Sequence, residues 1–187
     1  MKINFILIAL TFLFCQCSSY KKNLIQNGGK NEVIANTILD FSNNESLYKK
    51  GNIFTIEVVQ LKSNDKLFVA RVSENNSKIL VTSETIVGSK GKMPSRYVEK
   101  DSKLFFWWDD DYALTEDAIE VYRKYNLLQS DEGGWIKMPD SKIDELQKSA
   151  HYYFCKSNLT NYKKVITNRG LGYYPAPKLD CDSNVSN

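Results

Sequence analysis

Residues 53–72 read IFTIEVVQLKSNDKLFVARV, and the fold follows from how this stretch is parsed. Ile53 to Leu61 is rich in β-branched residues, and Lys66 to Val72 alternates again after the turn cluster Ser63-Asn64-Asp65. Two alternating runs joined by polar turn residues predict a β-hairpin. Downstream, Ile79 to Ser83 (ILVTS) predicts a third short strand, reached through Glu74-Asn75-Asn76-Ser77. Gly88 to Pro94 reads as a loop. Tyr97 to Glu99 and Lys103 to Trp108, joined by Lys100-Asp101-Ser102, predict a second hairpin. Short strands with tight connections predict an antiparallel, meandering sheet of about five strands.

Helical spacing flanks this block. Val33, Ile34, Ile38 and Phe41 predict a helix over 32–42, with Asn31 as its N-cap and Asn43-Asn44 as its stop. After the sheet, Leu114-Thr115-Glu116-Asp117 predicts a second helix running to about Asn126. Thr115 is its cap, acids sit in its first turn, and Leu114 and Ile119 form a staple. A third helix is expected after Pro139-Asp140-Ser141, with Ile143, Leu146, Ala150 and Phe154 as its apolar stripe, ending near Lys156 to Asn158. Lys163 to Thr167 reads as a further strand, and Gly170 to Pro177 as an extended aromatic segment. The expectation is an α+β domain with one helix before the sheet and two after it.

The N-terminal residues carry a different message. Lys2 supplies a positive charge, and Ile3 to Phe14 form an apolar run interrupted by Asn4 and Thr11, too short for a permanent membrane span. Residues 1–16 therefore read as a removable export signal. The run closes in Phe14-Cys15-Gln16-Cys17-Ser18-Ser19. A cysteine at this place resembles the lipobox of bacterial lipoproteins, and the whole leader resembles that of small envelope lipoproteins in Bacteroidota-like bacteria. The resemblance implies diacylation of a cysteine that becomes the mature N-terminus, and a membrane partner through that lipid. Cys17, preceded by Gln16, is favoured over Cys15, preceded by the bulkier Phe14. An ordinary secretory signal with incidental cysteines would export the chain equally. Ser18-Ser19-Tyr20-Lys21-Lys22 lacks the acidic run that marks surface-exported lipoproteins in some bacterial groups, so the resemblance implies an anchor facing the periplasm rather than the cell surface, with the outer membrane as its expected place. Residues 17–30, containing Asn27-Gly28-Gly29, read as a flexible tether, 31–181 as one globular domain, and 182–187 as a disordered tail.

The chain has 187 residues, with 25 Lys and Arg against 22 Asp and Glu. That near-neutral balance gives no basic face for nucleic acid. Cys155 and Cys181 are the two cysteines beyond the leader, so one intramolecular bridge can form. In an oxidising envelope it would add roughly 3 to 4 kcal/mol by constraining the unfolded chain. The rival role is a reactive Cys155 assisted by His151, four residues earlier on the expected helix.

Chemistry-bearing motifs are sparse. A single histidine excludes a multi-histidine zinc site, and neither G-x-S-x-G nor a phosphate loop occurs. Asp109-Asp110-Asp111, followed by Glu116 and Asp117, lacks the alternating acids, central glycine and closing glutamate of a calcium loop. These acids are expected to cap a turn. A hydrolase using Asp109 to Asp111 is the enzymatic alternative. Phe105-Phe106-Trp107-Trp108 must send two rings to each sheet face, so one pair fills a core and the other is covered by a helix or exposed. Trp108, beside Asp109 at the strand end, is the ring expected at the surface. Tyr173 and Tyr174 form a second aromatic candidate. No cofactor and no metal are expected. The favoured reading is a non-enzymatic, lipid-anchored domain that binds an envelope protein or carbohydrate, and a purely structural envelope component is the third.

Overall fold

The computed structural model describes residues 29–61, 64–75, 79–81, 87–91, 93–130, 148–167 and 176–182. The leader with Cys15 and Cys17, the tether up to residue 28, and Tyr173 and Tyr174 lie outside them. The described elements run α1 (Lys30–Asn44), α2 (Ser46–Lys50), β1 (Ile53–Gln60), β2 (Leu67–Glu74), β3 (Ile79–Val81), β4 (Arg96–Lys100), β5 (Lys103–Trp107), α3 (Glu116–Lys124), β6 (Leu128–Ser130), β7 (Ser149–Cys155) and β8 (Asn158–Thr167). The class is α+β.

Helix α1 matches the 32–42 periodicity but starts earlier. Its cap is Gly29, whose φ of 76° lies in the left-handed region that glycine occupies freely. Asn31 is not the cap: it sits inside the first turn and is buried. Val33, Ile34, Ile38 and Phe41 are all buried, as their spacing requires. A second, short helix α2 precedes the sheet, which spacing over five residues could not announce; it buries Tyr48, whose hydroxyl donates to the Asp101 carboxylate at 2.8 Å.

The two expected hairpins form. β1 pairs antiparallel with β2 from Phe54↔Glu74 to Gln60↔Phe68, and β4 with β5 from Arg96↔Trp107 to Lys100↔Lys103. Their junction corrects the expectation of a purely antiparallel meander. β5 lies parallel to β1, from Ile53↔Leu104 to Thr55↔Phe106, and the six-stranded mixed sheet has the order β4-β5-β1-β2-β7-β8. Each hairpin is a local decision, whereas the docking of one hairpin on another is a tertiary one. β3 is a second correction: it leaves the main sheet and pairs parallel with β6.

The third correction concerns residues 149–155, expected to be helical. They form β7, paired antiparallel to β2 and β8, and the short strand expected at 163–167 is the end of the longer β8. Ala150 and Phe154 are four apart, a spacing that puts two side chains on the same side in a helix and in a strand alike. The period therefore could not discriminate. Ile143 and Leu146, at the start of the expected helix, lie outside the described residues. Among the described residues one helix, α3, comes after β5 where two were expected, and it precedes β7 and β8 rather than following the whole sheet. Its cap is as expected, with Thr115 Oγ1 accepting from the Ala118 N–H at 3.3 Å.

Two cores result. On one sheet face, Ile34, Ile38 and Phe41 pack on Phe54, Ile56, Ala70, Phe105, Trp107 and Tyr152. On the other, Leu104 and Phe106 pack with Met93, Leu114, Ala118, Tyr122 and Leu127. β5 is thus covered on both faces, which explains four consecutive buried residues from Leu104 to Trp107. Each fully buried large apolar side chain contributes about 1.5–3 kcal/mol.

A polar clasp sets the position of α1. Asp40 accepts hydrogen bonds from the Tyr152 and Tyr162 hydroxyls at 2.9 Å each, and from Lys164 Nζ and Asn44 Nδ2 at 2.8 Å each. Burial pushes this carboxyl up, but those donors, Lys164 foremost, outweigh it and hold its pKa below the ordinary 3.8. Lys164 also pairs with Glu45. The clasp ties the last turns of α1 to β7 and β8, and so holds its first turn over the end of β1.

Candidate functional site

β1 has eight residues, yet β5 pairs with only its first three. Beyond Thr55 and Phe106 the two parallel strands part. A cavity of about 430 Å³ opens between them, lined by Thr55, Ile56, Glu57 and Val58 of β1 and by Trp107, Trp108 and Asp109 where the chain leaves β5. Lys30, Asn31 and Ile34 of the first turns of α1 border one side, and Arg71 of β2 the other. The volume lies in the range of small-ligand pockets, roughly 300–1,000 Å³.

Local chemistry fixes the wall formed by Trp107 to Asp109. Ser95 Oγ donates to the Asp109 carbonyl at 2.8 Å and accepts from the Asp109 N–H at 3.2 Å. Asp109 Oδ1 accepts from the Asp111 N–H at 3.2 Å, and its carbonyl from the Tyr112 N–H at 3.1 Å. Asp109, the first acid of the run, therefore caps the turn that follows it. Asp109 lines the wedge, whereas Asp110 and Asp111 are exposed and do not. Among the described residues no group of His, Cys, Asp and Glu is placed to hold a metal ion.

The aromatic run divides unevenly. Phe105 and Trp107 lie in the core under α1, and Phe106 in the core under α3, which removes all three as a free surface. Trp107 is 3% exposed and Trp108 is 47% exposed. Trp108 leans edge-on against Phe106, centroids 5.7 Å apart, so part of its face is left to the wedge and to solvent. The Trp107 indole N–H is buried without a hydrogen-bond partner among the described residues.

Opposite the tryptophans, Arg71 pairs with Glu57 at 3.0 Å. The next residue across the sheet is His151, opposite Arg71 on β7. Burial, and then the Arg71 cation, lower its pKa below 6.5 against the opposing pull of Glu57. Its Nε2 lies 3.0 Å from Ser149 Oγ and 3.3 Å from Thr167 Oγ1. His151 does not activate Cys155. The two residues lie on a strand rather than on adjacent helical turns, and Cys155 is bonded to Cys181 with Cα atoms 5.3 Å apart.

Lys30, Glu57 and Arg71 escaped notice in the sequence, and Asn31 was expected only as a helix cap. A signal for two of them was present. A turn centred on Asn64 places Glu57, the one charge in β1, opposite Arg71, the one cation in β2. No protein-family model, curated protein or solved structure matches the chain. Among the described residues no helix is long and apolar enough to cross a membrane.

Proposed function

We propose that this chain is exported, tethered to the bacterial envelope through acylated Cys17, and acts as a non-enzymatic binding protein whose ligand site is the wedge between β1 and β5. The wedge carries the reading. An exposed indole, a charged pair at its mouth and a volume suited to a small ligand or one segment of a larger one are the features of a recognition site. The hydrolase alternative loses two of its three acids, since Asp110 and Asp111 stand outside the wedge.

The test is a binding measurement with cell-wall oligosaccharides and fragments of envelope proteins as probes, on the wild type and on Trp108→Ala. Saturable binding that Trp108→Ala weakens while its melting curve is retained is the expected result. No binding by either probe class, or binding indifferent to Trp108, overturns the site. Breakdown of an oligosaccharide that Asp109→Asn abolishes would replace binding by hydrolysis. Labelled palmitate incorporated into the wild type and lost in Cys17→Ala is the expected behaviour of the anchor, and incorporation that survives the substitution refutes the choice of cysteine.

A further inference from the structure

Four consecutive residues of β1, Thr55 to Val58, line the wedge. A cavity on one face of a sheet meets alternate residues, whereas one that meets a continuous run lies along the strand's edge. Backbone hydrogen bonds agree. The Asn52 carbonyl accepts from the Leu104 N–H at 2.9 Å on the β5 side, and the Ile53 carbonyl from the Asn75 N–H at 2.8 Å on the β2 side. Even-numbered residues of β1 therefore turn their backbone groups toward β5. The β5 pairing stops at Thr55↔Phe106, and the N–H and C=O groups of Val58 and Gln60 on that side have no backbone partner among the described residues. An interior strand keeps half of one edge open.

The two walls of the wedge differ in chemistry. Toward α1 stand the apolar Ile34, Ile56 and Trp107 together with Lys30 and Asn31; on the other side stands the Glu57–Arg71 pair. An extended peptide meets both walls and the edge at once. Its main chain supplies donors and acceptors at strand spacing, and its side chains point alternately to opposite sides. A sugar ring has hydroxyls but no such alternation. We propose that an extended peptide of alternating apolar and polar residues binds by adding a short strand to the open half of the β1 edge, between β1 and Trp108. This rests on the wedge being the ligand site, and names the class of ligand it takes.

A displayed library of random short peptides, selected on the wild-type protein, tests it, with an oligosaccharide array run in parallel. Enriched peptides should alternate apolar and polar residues. They should bind Val58→Pro at least about tenfold more weakly, because proline removes an edge donor and its ring obstructs the edge while the β1–β2 ladder, made by odd-numbered residues, is left intact. N-methylating alternate amides of a selected peptide gives a readout that does not depend on folding of the variant: one alternate set should abolish binding and the other should leave it. Failure to enrich any peptide, equal binding by Val58→Pro, or indifference to both methylation sets overturns the proposal. Oligosaccharide binding that depends on Trp108, without peptide binding, overturns strand addition but leaves the wedge as the ligand site; no Trp108-dependent binding of either kind overturns both.

Discussion

Trp107 and Trp108 are neighbours in sequence, and their alanine variants should differ by enough to measure. Trp107 is 3% exposed and packed in the core beneath α1. Truncating a buried aromatic costs about 3–5 kcal/mol. Its indole N–H, however, is buried without a partner among the described residues, a burden of about 1–3 kcal/mol that truncation removes. The net loss for Trp107→Ala is then about 2 kcal/mol, or a melting temperature lower by roughly 4–8 °C for a domain of this size. Trp107→Phe keeps most of the packing and removes the N–H, so its stability should lie within about 1 kcal/mol of wild type. Trp108 is half exposed and makes one edge contact with Phe106, worth about 0.5–1.5 kcal/mol beyond the area it covers, so Trp108→Ala should lose clearly less than Trp107→Ala. Urea unfolding followed by far-UV circular dichroism is the suitable assay, since fluorescence would report on the residues being changed. A Trp108→Ala loss equal to that of Trp107→Ala would refute the assignment of faces. A Trp107→Phe loss above about 2 kcal/mol would show that the indole N–H does have a partner.

Acid should destabilise the fold in two steps. His151 has a lowered pKa in the fold, so its contribution is full above the unfolded value of about 6.5 and lost as pH falls through the folded one; Asp40, also lowered, contributes above about 3.9 and loses its part as pH falls through its folded value. His151→Gln should remove the upper step and Asp40→Asn the lower, and unfolding free energies that stay flat from neutral pH down to about pH 3 would contradict both. Reducing the Cys155–Cys181 bridge, which closes a 26-residue separation, should lower stability by about 3.5 kcal/mol, and an unfolding midpoint indifferent to reductant would argue against the bridge in solution. Gly51→Ala should lose about 1–3 kcal/mol although its backbone is unstrained, because the added Cβ would come within 2.8 Å of the Phe54 ring, itself held between Phe41 and Phe105; a neutral melting curve would show that this ring can move.

Much of the local structure was legible. A turn centred on Asn64 sets the β1–β2 register, because each further pair is counted outward from the turn, and Thr115 announces α3 because a cap acts within three residues of itself. Residues 149–155 were misread because Ala150 and Phe154 satisfy both periods, and because a strand buried on both faces loses the alternation that would have marked it. The wedge was hidden for a further reason. Lys30, Arg71 and Trp108 are far apart in the chain and become neighbours when separate elements dock.

What the sequence determined without help is whatever depends on near neighbours along the chain: the two hairpins, the faces of α1 and α3, and the single cysteine pair left to the domain. The parallel contact of β5 with β1, the loss of β3 to a separate sheet and the open half of the β1 edge were settled in three dimensions. Side-chain period constrains which face of a strand is buried, but not which strand it pairs with or how far that pairing runs. Those follow from the competition between hairpins for edges and between helices for faces. Here β5 comes to lie between α1 and α3, and its pairing with β1 ends where Trp108 turns out of the core.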